Sequence, residues 1–119
     1  MGGGHQRKGR LGERTAVQYL TQKGYNILCR NYNTPFGEID IVAADGSELV
    51  FVEVKASMSD EYGHPEERVT PSKQRRLGRA AVYYLERRNA EIPDCRFDVL
   101  AIEWGSRVEI THFKDAFRL

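Results

Sequence analysis

The sequence predicts a single α/β domain in which helices pack on a mixed sheet of about five strands, in the order αβββαββ. Three observations support this prediction. Two segments carry apolar residues at helical spacing, five shorter segments are rich in β-branched and aromatic residues, and Gly, Pro, Asn or Asp separates them. The chain has 119 residues, 40% of them hydrophobic, which is typical of a domain with one core.

The first helix is predicted over residues 11–23. Ala16 and Leu20 belong to an apolar stripe at helical spacing, and Gly24 can end the helix in the left-handed conformation. Glu13 lies on the same stripe. A carboxylate therefore accompanies the apolar side chains of this helix.

Three strands are predicted next, over residues 25–32, 36–44 and 48–56. Pro35 breaks the chain after the first of them, and the turn sequence Asp45-Gly46 joins the other two as a hairpin. Both faces of this hairpin are rich in Val, Ile, Leu and Phe. Such strands are typically central in a sheet that is covered on two sides.

Residues 57–69 have no apolar period and predict a functional loop that could act as a lid. Thr70 then supplies an N-cap and Pro71 the first position of a second helix, in which Leu77 belongs to a buried stripe running toward Arg88.

The end of the chain predicts two more strands, over residues 95–104 and 107–113, joined at Gly105-Ser106. The last residues, through Phe117, are expected to form one helical turn. Asp98 and Arg96 are either an ion pair that supports a functional site or alternating surface charges on a strand.

Several functional classes are excluded by the composition. Residues 1–10 are Gly-rich and basic, so we expect a flexible tail before one domain at residues 11–119, and no apolar run approaches the length of a bilayer span. Cys29 and Cys95 lack the spacing of a zinc site and are expected to be buried, reduced thiols. We expect a cytoplasmic protein that does not bind membranes.

The net charge is only +1, but the charges are segregated along the chain. Residues 35–67 contain nine acidic residues and one basic residue, Lys55, whereas residues 71–88 contain six basic residues and one acidic residue. An acidic centre beside a basic helix suits a protein that holds a divalent metal and contacts phosphates. The alternative is a solvated helix face beside an acidic loop. The arginines expected to bind nucleic acid are Arg75, Arg76 and Arg79.

The candidate catalytic residues lie on the two strands of the hairpin. Alternation places Glu38 and Asp40 on one face of the first strand, and Glu53 and Lys55 on one face of the second. A two-residue turn at Asp45-Gly46 sets Glu38 opposite Glu53, and a four-residue loop over residues 45–48 sets Asp40 opposite Glu53. A three-residue loop without a bulge would send Asp40 and Glu53 to opposite faces and remove the site.

Like charges across a buried strand pair repel one another, so a structural sheet has little reason to contain these carboxylates. A divalent cation resolves this conflict, and several carboxylate oxygens suit Mg²⁺ or Mn²⁺. Such a metal activates water for phosphodiester cleavage, and Lys55 can stabilise the charge that develops on the phosphate. The alternative is a set of ordinary salt bridges around Lys55.

Three motifs resemble the PD-(D/E)XK nuclease superfamily. They are Gly37-Glu38-Ile39-Asp40, Phe51-Val52-Glu53-Val54-Lys55, and Gly12-Glu13 on the preceding helix. Longer runs are similar to the YraN family of bacterial endonuclease-like proteins: Arg10-Leu11-Gly12-Glu13, Gly24-Tyr25-Asn26-Ile27-Leu28-Cys29-Arg30-Asn31-Tyr32, Pro35-Phe36-Gly37-Glu38-Ile39-Asp40, Lys73-Gln74-Arg75-Arg76-Leu77 and Arg96-Phe97-Asp98-Val99. The resemblance covers nearly all of the chain beyond the first ten residues.

This resemblance implies a restriction-endonuclease-like core, similar to that of archaeal Holliday junction resolvases, and activity on branched DNA. It implies that Asp40 and Glu53 are metal ligands, that Lys55 is the catalytic lysine, and that Glu13 completes the site. Lys73 and Gln74 match a Lys-Gln pair of the family and are expected to face the phosphate, and Ile39 stands where the superfamily motif has Pro. Glu38 belongs to the candidate catalytic set because it shares a strand face with Asp40.

Two functional hypotheses follow. The first is a Mg²⁺-dependent endonuclease that hydrolyses phosphodiester bonds in structured or branched DNA. A homodimer is expected, because symmetric cleavage of a junction needs two sites. The second is a non-catalytic module of the same fold that binds DNA or a DNA-processing partner. Phosphate chemistry does not distinguish the sugars, so RNA is a third candidate substrate.

Overall fold

The computed structural model describes residues 3–58, 69–88 and 94–118. Two helices and five strands follow one another in the predicted order αβββαββ, which confirms the α/β class. The elements are α1 (Gly3–Gln22), β1 (Asn26–Thr34), β2 (Gly37–Asp45), β3 (Glu48–Met58), α2 (Pro71–Arg88), β4 (Cys95–Trp104) and β5 (Val108–Phe117).

The five strands form one mixed sheet in the order β1-β2-β3-β4-β5. The pairs β1–β2, β2–β3 and β4–β5 are antiparallel, and β3–β4 is parallel. The parallel pair requires a crossover between β3 and β4, and α2 lies in that crossover. The sheet is therefore a three-strand meander and a two-strand hairpin joined through α2.

The core has one cluster of side chains on each face of the sheet, as the apolar faces of the hairpin predict. Ala16 and Leu20 of α1 pack on one face, against residues that include Val52. Ala80 and Ala81 of α2 pack on the other face. Because both faces of β2 and β3 are covered, polar groups on these strands reach water only near the strand ends.

An aromatic row crosses the α2 face from β1 to β5. Tyr32 contacts Tyr84 with ring centroids 5.1 Å apart, and Tyr84 contacts Phe51 at 5.8 Å. Phe51 and Phe97 stack at 5.4 Å, and Phe97 and Phe117 stack at 5.0 Å. These contacts link α2 with β1, β3, β4 and β5 in one layer of side chains. Each ring pair adds about 1 kcal/mol beyond the area that it buries.

Helix α1 begins at Gly3, eight residues before the predicted start at Leu11. The helix thus includes residues 3–10, whose expected flexibility stays a prediction. Apolar periodicity locates only the part of a helix that faces a core, whereas Gln, Arg and Lys extend a helix by their own propensity. The other end agrees with the prediction, because Gly24 has a φ of 93° and donates its N–H to the carbonyl of Thr21 at 3.0 Å.

Helix α2 begins as predicted. The side-chain oxygen of Thr70 accepts a hydrogen bond from the backbone N–H of Lys73 at 3.2 Å, and Pro71 is the first helical residue. Of the predicted loop, residues 57 and 58 belong to β3, and residues 59–68 lie outside the described part of the chain.

The helical turn predicted near Phe117 is wrong, because β5 continues to that residue. Phe117 pairs with Phe97, and a register shift between Phe97 and Val99 accommodates Asp115, which has a φ of 52°. The N–H of Asp115 donates to the carboxylate of Asp98 at 3.0 Å. A bulge and an aromatic contact therefore keep the chain extended where local pattern favoured a turn.

Cys29 and Cys95 are half-buried, and neither forms a disulfide with any described residue. Burial raises the pKa of both thiols. Among the described residues, no helix combines the length and apolar character needed to cross a bilayer.

Candidate active site

The site forms where the pairing of β2 with β3 ends. The register runs from Asp45↔Glu48 to Ile41↔Val52, so the hairpin connection is the two residues Gly46 and Ser47. This is the register that the sequence associated with a four-residue loop, in which Asp40 faces Glu53. Asp45 and Glu48 extend the ladder into that expected loop.

Beyond Ile41 and Val52, Asp40 takes over the pairing with its side chain. One oxygen of the Asp40 carboxylate accepts a hydrogen bond from the backbone N–H of Val54 at 2.8 Å. The carboxylate therefore satisfies a backbone donor at the point where the two strands separate. The hydrogen bond to β3 therefore fixes the position of the Asp40 carboxylate.

The alternation of side chains along β2 is interrupted at Asp40. Ile39 packs under α2, whereas Ile41 packs under α1, although two residues of a regular strand share one face. In the register between β1 and β2, Asn31 stands opposite this point and has a φ of 52°. The irregularity turns the end of β2 so that acidic side chains meet a residue from α1.

Three carboxylates converge at this end of the sheet. Oxygen atoms of Glu13, Glu38 and Asp40 all lie within 4.8 Å of one another. The side-chain amide of Asn31 donates a hydrogen bond of 2.6 Å to Glu13 and so ties the helix carboxylate to β1. The structure thus brings the helix-borne Glu13 to the two acidic residues of β2.

Gly12 allows α1 to approach the sheet closely enough to deliver Glu13. A Cβ atom at Gly12 would lie 3.1 Å from the Cβ of Ala56 on β3, closer than nearly all real contacts between such atoms. Val54 and Trp104 lie within 3.8 Å of the same point. Any larger residue at this position would push Glu13 away from β2.

Glu53 lies beside this triad and is held by two lysines. The Nζ atom of Lys55 lies 3.4 Å from the Glu53 carboxylate, and Nζ of Lys73 lies 3.1 Å from the same oxygen. Only 10% of the Glu53 side chain is exposed. Lys55 comes from β3 and Lys73 from the first turn of α2, so this ion pair also fixes the helix to the sheet.

The acidic residues raise one another's pKa values. Burial raises the pKa of Asp40, and the nearby charge of Glu53, with a smaller effect from Glu38, raises it further, to about 8. The hydrogen bond from Val54 works in the opposite direction. Burial also raises the pKa of Glu38, and Glu13 and Glu53 add to that effect. Without a cation, the cluster therefore retains a proton near neutral pH.

The two lysines are affected in opposite directions. Burial lowers the pKa of Lys55, and its neighbour Lys73 lowers it further, while Glu53 acts the other way. Burial also acts against the charge of Lys73, but its interactions with Lys55 and Glu53 outweigh burial and raise its pKa. Lys55 is thus the ammonium that loses its proton more readily, and Lys73 is the firmer partner of Glu53.

The predicted nucleic-acid-binding residues of α2 do not form one group. Gln74 donates its side-chain N–H to the carbonyl of Val69 at 3.0 Å, so it braces the start of the helix. Arg75, Arg76 and Arg79 are exposed. These arginines present positive charge on the solvent side of α2, next to the cluster of carboxylates.

Arg96 and Asp98 form neither of the two arrangements weighed from the sequence. Arg96 contacts both oxygens of the fully buried Asp98, at 3.0 and 3.2 Å. It also donates to Asp45 and Glu48 at 3.0 and 2.7 Å. Since Asp45 and Glu48 close the β2–β3 turn, this buried network lies at the opposite end of the hairpin from Asp40.

Sequence reasoning missed Asn31, and it did not predict the contact that Lys73, expected to face the phosphate, makes with Glu53. Asn31 carried no pattern beyond the tolerance of Asn for positive φ. The contact of Lys73 with Glu53 depends on how α2 crosses the sheet, which neither residue's own segment specifies. The pairing of Lys73 with Gln74 in the resemblance pointed to the right place on α2, where Lys73 faces the carboxylates.

Comparison with known proteins shows that the sequence matches a protein family. The sequence profile described as "Uncharacterised protein family UPF0102" matches residues 12–102, which include all the candidate site residues from Glu13 to Arg79. The chain belongs to UPF0102. This is the family that the resemblance to YraN indicated.

Individual UPF0102 proteins match most of the chain. The UPF0102 protein of Syntrophus aciditrophicus is 47% identical over 116 residues, covering 95% of this chain and 90% of its own. UPF0102 protein STH1475 of Symbiobacterium thermophilum is 52% identical over 99 residues, covering 83% and 84%. UPF0102 protein Cphamn1_0017 of Chlorobium phaeobacteroides is 54% identical over 94 residues, covering 79% and 75%.

Proposed function

We propose that this UPF0102 protein is a metal-dependent endonuclease that hydrolyses phosphodiester bonds in structured or branched DNA. The observation that carries the proposal is the convergence of Glu13, Glu38 and Asp40 within 4.8 Å, beside a Glu53 carboxylate held by Lys55. Carboxylates and a lysine at one point of a sheet are the groups that metal-dependent phosphodiester hydrolysis uses.

The side chains at the site fit a divalent cation. All the converging donors are carboxylate oxygens, which suit Mg²⁺ or Mn²⁺. The raised pKa of Asp40 reflects burial and crowding by Glu53 and Glu38, and a bound cation would relieve this repulsion. Glu13, Glu38 and Asp40 would hold the metal, and Glu53, which adjoins Asp40, would add to the negative charge of the site. When bound, Mg²⁺ or Mn²⁺ supplies positive charge to the phosphate and lowers the pKa of the attacking water.

Each residue of the chain has a separate task in this proposal. Lys55 neutralises the charge that develops on the scissile phosphate, because its ammonium lies at the edge of the carboxylate cluster. Lys73 orients Glu53 through its 3.1 Å contact. Arg76 and its exposed neighbours on α2 attract the phosphate backbone.

The second candidate is a DNA-binding module without catalysis. One observation favours it: Glu53 is already balanced by Lys55 and Lys73, so this ion pair needs no metal. In such a module, the arginines of α2 would bind DNA and the carboxylates would be structural. The two candidates differ in what happens when a single charge at the site is removed.

The experiment compares Glu53→Gln and Lys55→Ala with the unmodified protein. Cleavage is measured on linear, flapped, four-way and single-stranded DNA with Mg²⁺ and with Mn²⁺, alongside metal binding and DNA binding. Lys114→Ala is the matched control, because Lys114 is exposed on β5. Thermal unfolding of each sample shows that the variants are folded.

The nuclease proposal expects different losses from the two variants. Glu53→Gln should lower metal affinity and cleavage together. Lys55→Ala should keep the metal and reduce cleavage by on the order of a hundredfold, because the lysine acts on the transition state. If the unmodified protein binds metal and branched DNA but cuts none of these substrates, and both variants bind as it does, the binding module is the correct assignment.

A further inference from the structure

An apolar groove lies on the outer side of α2, next to the candidate site. Phe36, from the turn between β1 and β2, forms one wall, and Val82 and Tyr83 of α2 contribute the other apolar surface. Arg75 and Arg79 stand along the groove, which has a volume of about 480 Å³. The groove also has an acidic residue, Glu86, at its far end.

Phe36 is held outward by its turn. The hydroxyl of Thr34 donates to the carbonyl of Gly37 at 2.7 Å and accepts from the N–H of Phe36 at 3.0 Å. Despite this ordered backbone, 42% of Phe36 is exposed to solvent, and Val82 opposite it is 54% exposed. A large aromatic ring on a rigid turn, facing an exposed Val, is a surface suited to binding a flat apolar group.

Arg76 anchors the turn to α2. Gly37 has a φ of 135°, and a Cβ atom there would lie 3.1 Å from Cδ of Arg76. The side chain of Arg76 therefore packs over the backbone of Gly37, one residue before Glu38 of the candidate site. This contact joins the groove, the arginines and the acidic cluster into one surface.

We propose that this groove binds an unpaired nucleotide of the nucleic-acid strand that is cleaved at the candidate site, with the base against Phe36 and the phosphate on Arg75 and Arg79. The inference rests on the proposed function and specifies its substrate class. Aromatic side chains beside cationic ones are the groups that bind single-stranded nucleic acid, because every base has a flat face and every nucleotide a charge.

Charge argues for a nucleotide over a second copy of this chain. Arg75, Arg76 and Arg79 border the groove and the adjoining cleft, against one acidic residue, Glu86. A symmetric dimer through this face would bring the arginines of two copies together, and such like charges repel. A strand of phosphates neutralises them.

The position of the groove determines which substrates fit. Phe36 precedes Asp40 by four residues of nearly extended chain, or about 13 Å. This distance corresponds to a few nucleotides along a strand. The unpaired nucleotide should therefore lie a few positions from the cleaved bond, as at a flap, a bulge or the crossover of a junction. A continuous duplex offers no free base there.

The experiment measures binding in Ca²⁺ or in chelator, so that cleavage does not enter the result. Fluorescence anisotropy compares a DNA duplex that carries one unpaired nucleotide with the same duplex fully paired, and a fluorescent purine at the unpaired position reports stacking. The variants are Phe36→Ala and the conservative Phe36→Trp. Val108→Ala is the control, because Val108 is another exposed apolar residue, on β5. An RNA version of the bulged duplex distinguishes the sugars.

The unmodified protein is expected to prefer the bulged duplex. Phe36→Ala should reduce binding to it by on the order of tenfold, because one base loses its stacking partner, while binding to the paired duplex changes little. Phe36→Trp should preserve the preference and the fluorescence change. The double variant Arg75→Ala/Arg79→Ala should weaken binding to both duplexes and reduce the salt dependence.

Three results would overturn the inference: no binding of the bulged duplex, a preference that survives Phe36→Ala, or a dimer of the unmodified protein that Phe36→Ala dissociates without changing DNA binding. The last result would make this face an interface between copies. A protein that cuts DNA but keeps its preference in Phe36→Ala refutes the groove alone. A protein that cuts nothing, yet loses the preference in Phe36→Ala, refutes the nuclease and supports the groove.

Discussion

In the metal-free protein, the free energy of unfolding should fall as the pH rises from 5 to 8 because of Asp40. Its pKa is about 8 in the folded chain against an ordinary value of 3.8, so the folded state binds this proton more tightly than the unfolded state does. Stability from a raised pKa is complete below the unfolded value and is lost as the pH rises through the folded value. The affected window therefore runs from about pH 4 to pH 8.

The size of the effect has an upper limit. One proton changes the free energy of unfolding by at most about 1.4 kcal/mol per pH unit. For a domain of this length, 1 kcal/mol corresponds to roughly 4 °C in melting temperature. The melting temperature should thus fall by up to about 5 °C per pH unit, and Asp40→Asn, which cannot ionise, should remove this slope.

Mg²⁺ or Mn²⁺ should reverse the loss. Binding competes with the proton on Asp40, so the stabilisation by metal should grow with pH, and it reaches about 2.7 kcal/mol at a hundred times the dissociation constant. Thermal unfolding followed by circular dichroism at pH 5, 6, 7 and 8, with chelator and with metal, measures both effects. If the unmodified protein and Asp40→Asn show the same slope, or if stabilisation by metal does not depend on pH, the coupling of Asp40 to its acidic neighbours is refuted.

Two further predictions concern stability. Asp98→Ala removes the buried acceptor of Arg96, His112 and the N–H of Asp115, while Asp45 and Glu48 still pair with Arg96. It should therefore cost about 3 kcal/mol in denaturant unfolding. Arg118→Ala, in an exposed ion pair with Asp115, should cost less than about 1 kcal/mol, and equal costs would refute the assignment. Gly12→Val should lower the melting temperature and also weaken metal binding, because the larger side chain separates α1 from β3 and moves Glu13 away from the other carboxylates. A loss of stability with unchanged metal affinity would place Glu13 outside the site.

The element order and the hairpin register were accessible from the sequence because they depend on local rules. Apolar residues at the helical period located both helices, and short apolar segments with strand composition located all five strands. Thr70-Pro71 marked the start of α2 correctly. The pairing of Asp40 with Glu53 followed from alternation and one of two open turn lengths. Such features require no knowledge of distant parts of the chain.

The missed features depend on long-range geometry. Asn31, with its left-handed φ, and the interrupted alternation at Asp40 lie where β1 and β2 accommodate Glu13 of α1. No periodic pattern in the sequence predicts such an irregularity. The extended end at Phe117 depends on a stacked ring of β4. The sequence therefore specified which carboxylates of the hairpin could meet, and the family resemblance added Glu13. The packing of α2 on the sheet added the contact of Lys73 with Glu53.

The placement of the site on a local hairpin has a consequence for how the protein folds. Four of its six side chains lie on β2 and β3, which are joined by the two residues Gly46 and Ser47, so little entropy is lost in bringing them together. Pairing of β3 with β4 joins residues as distant as Leu49 and Cys95 and closes a much longer loop. The acidic residues of the hairpin and Lys55 can thus reach their register before the rest of the chain has folded. The contact of Lys73 with Glu53 joins this local hairpin to α2, which belongs to the slower, non-local part of the fold.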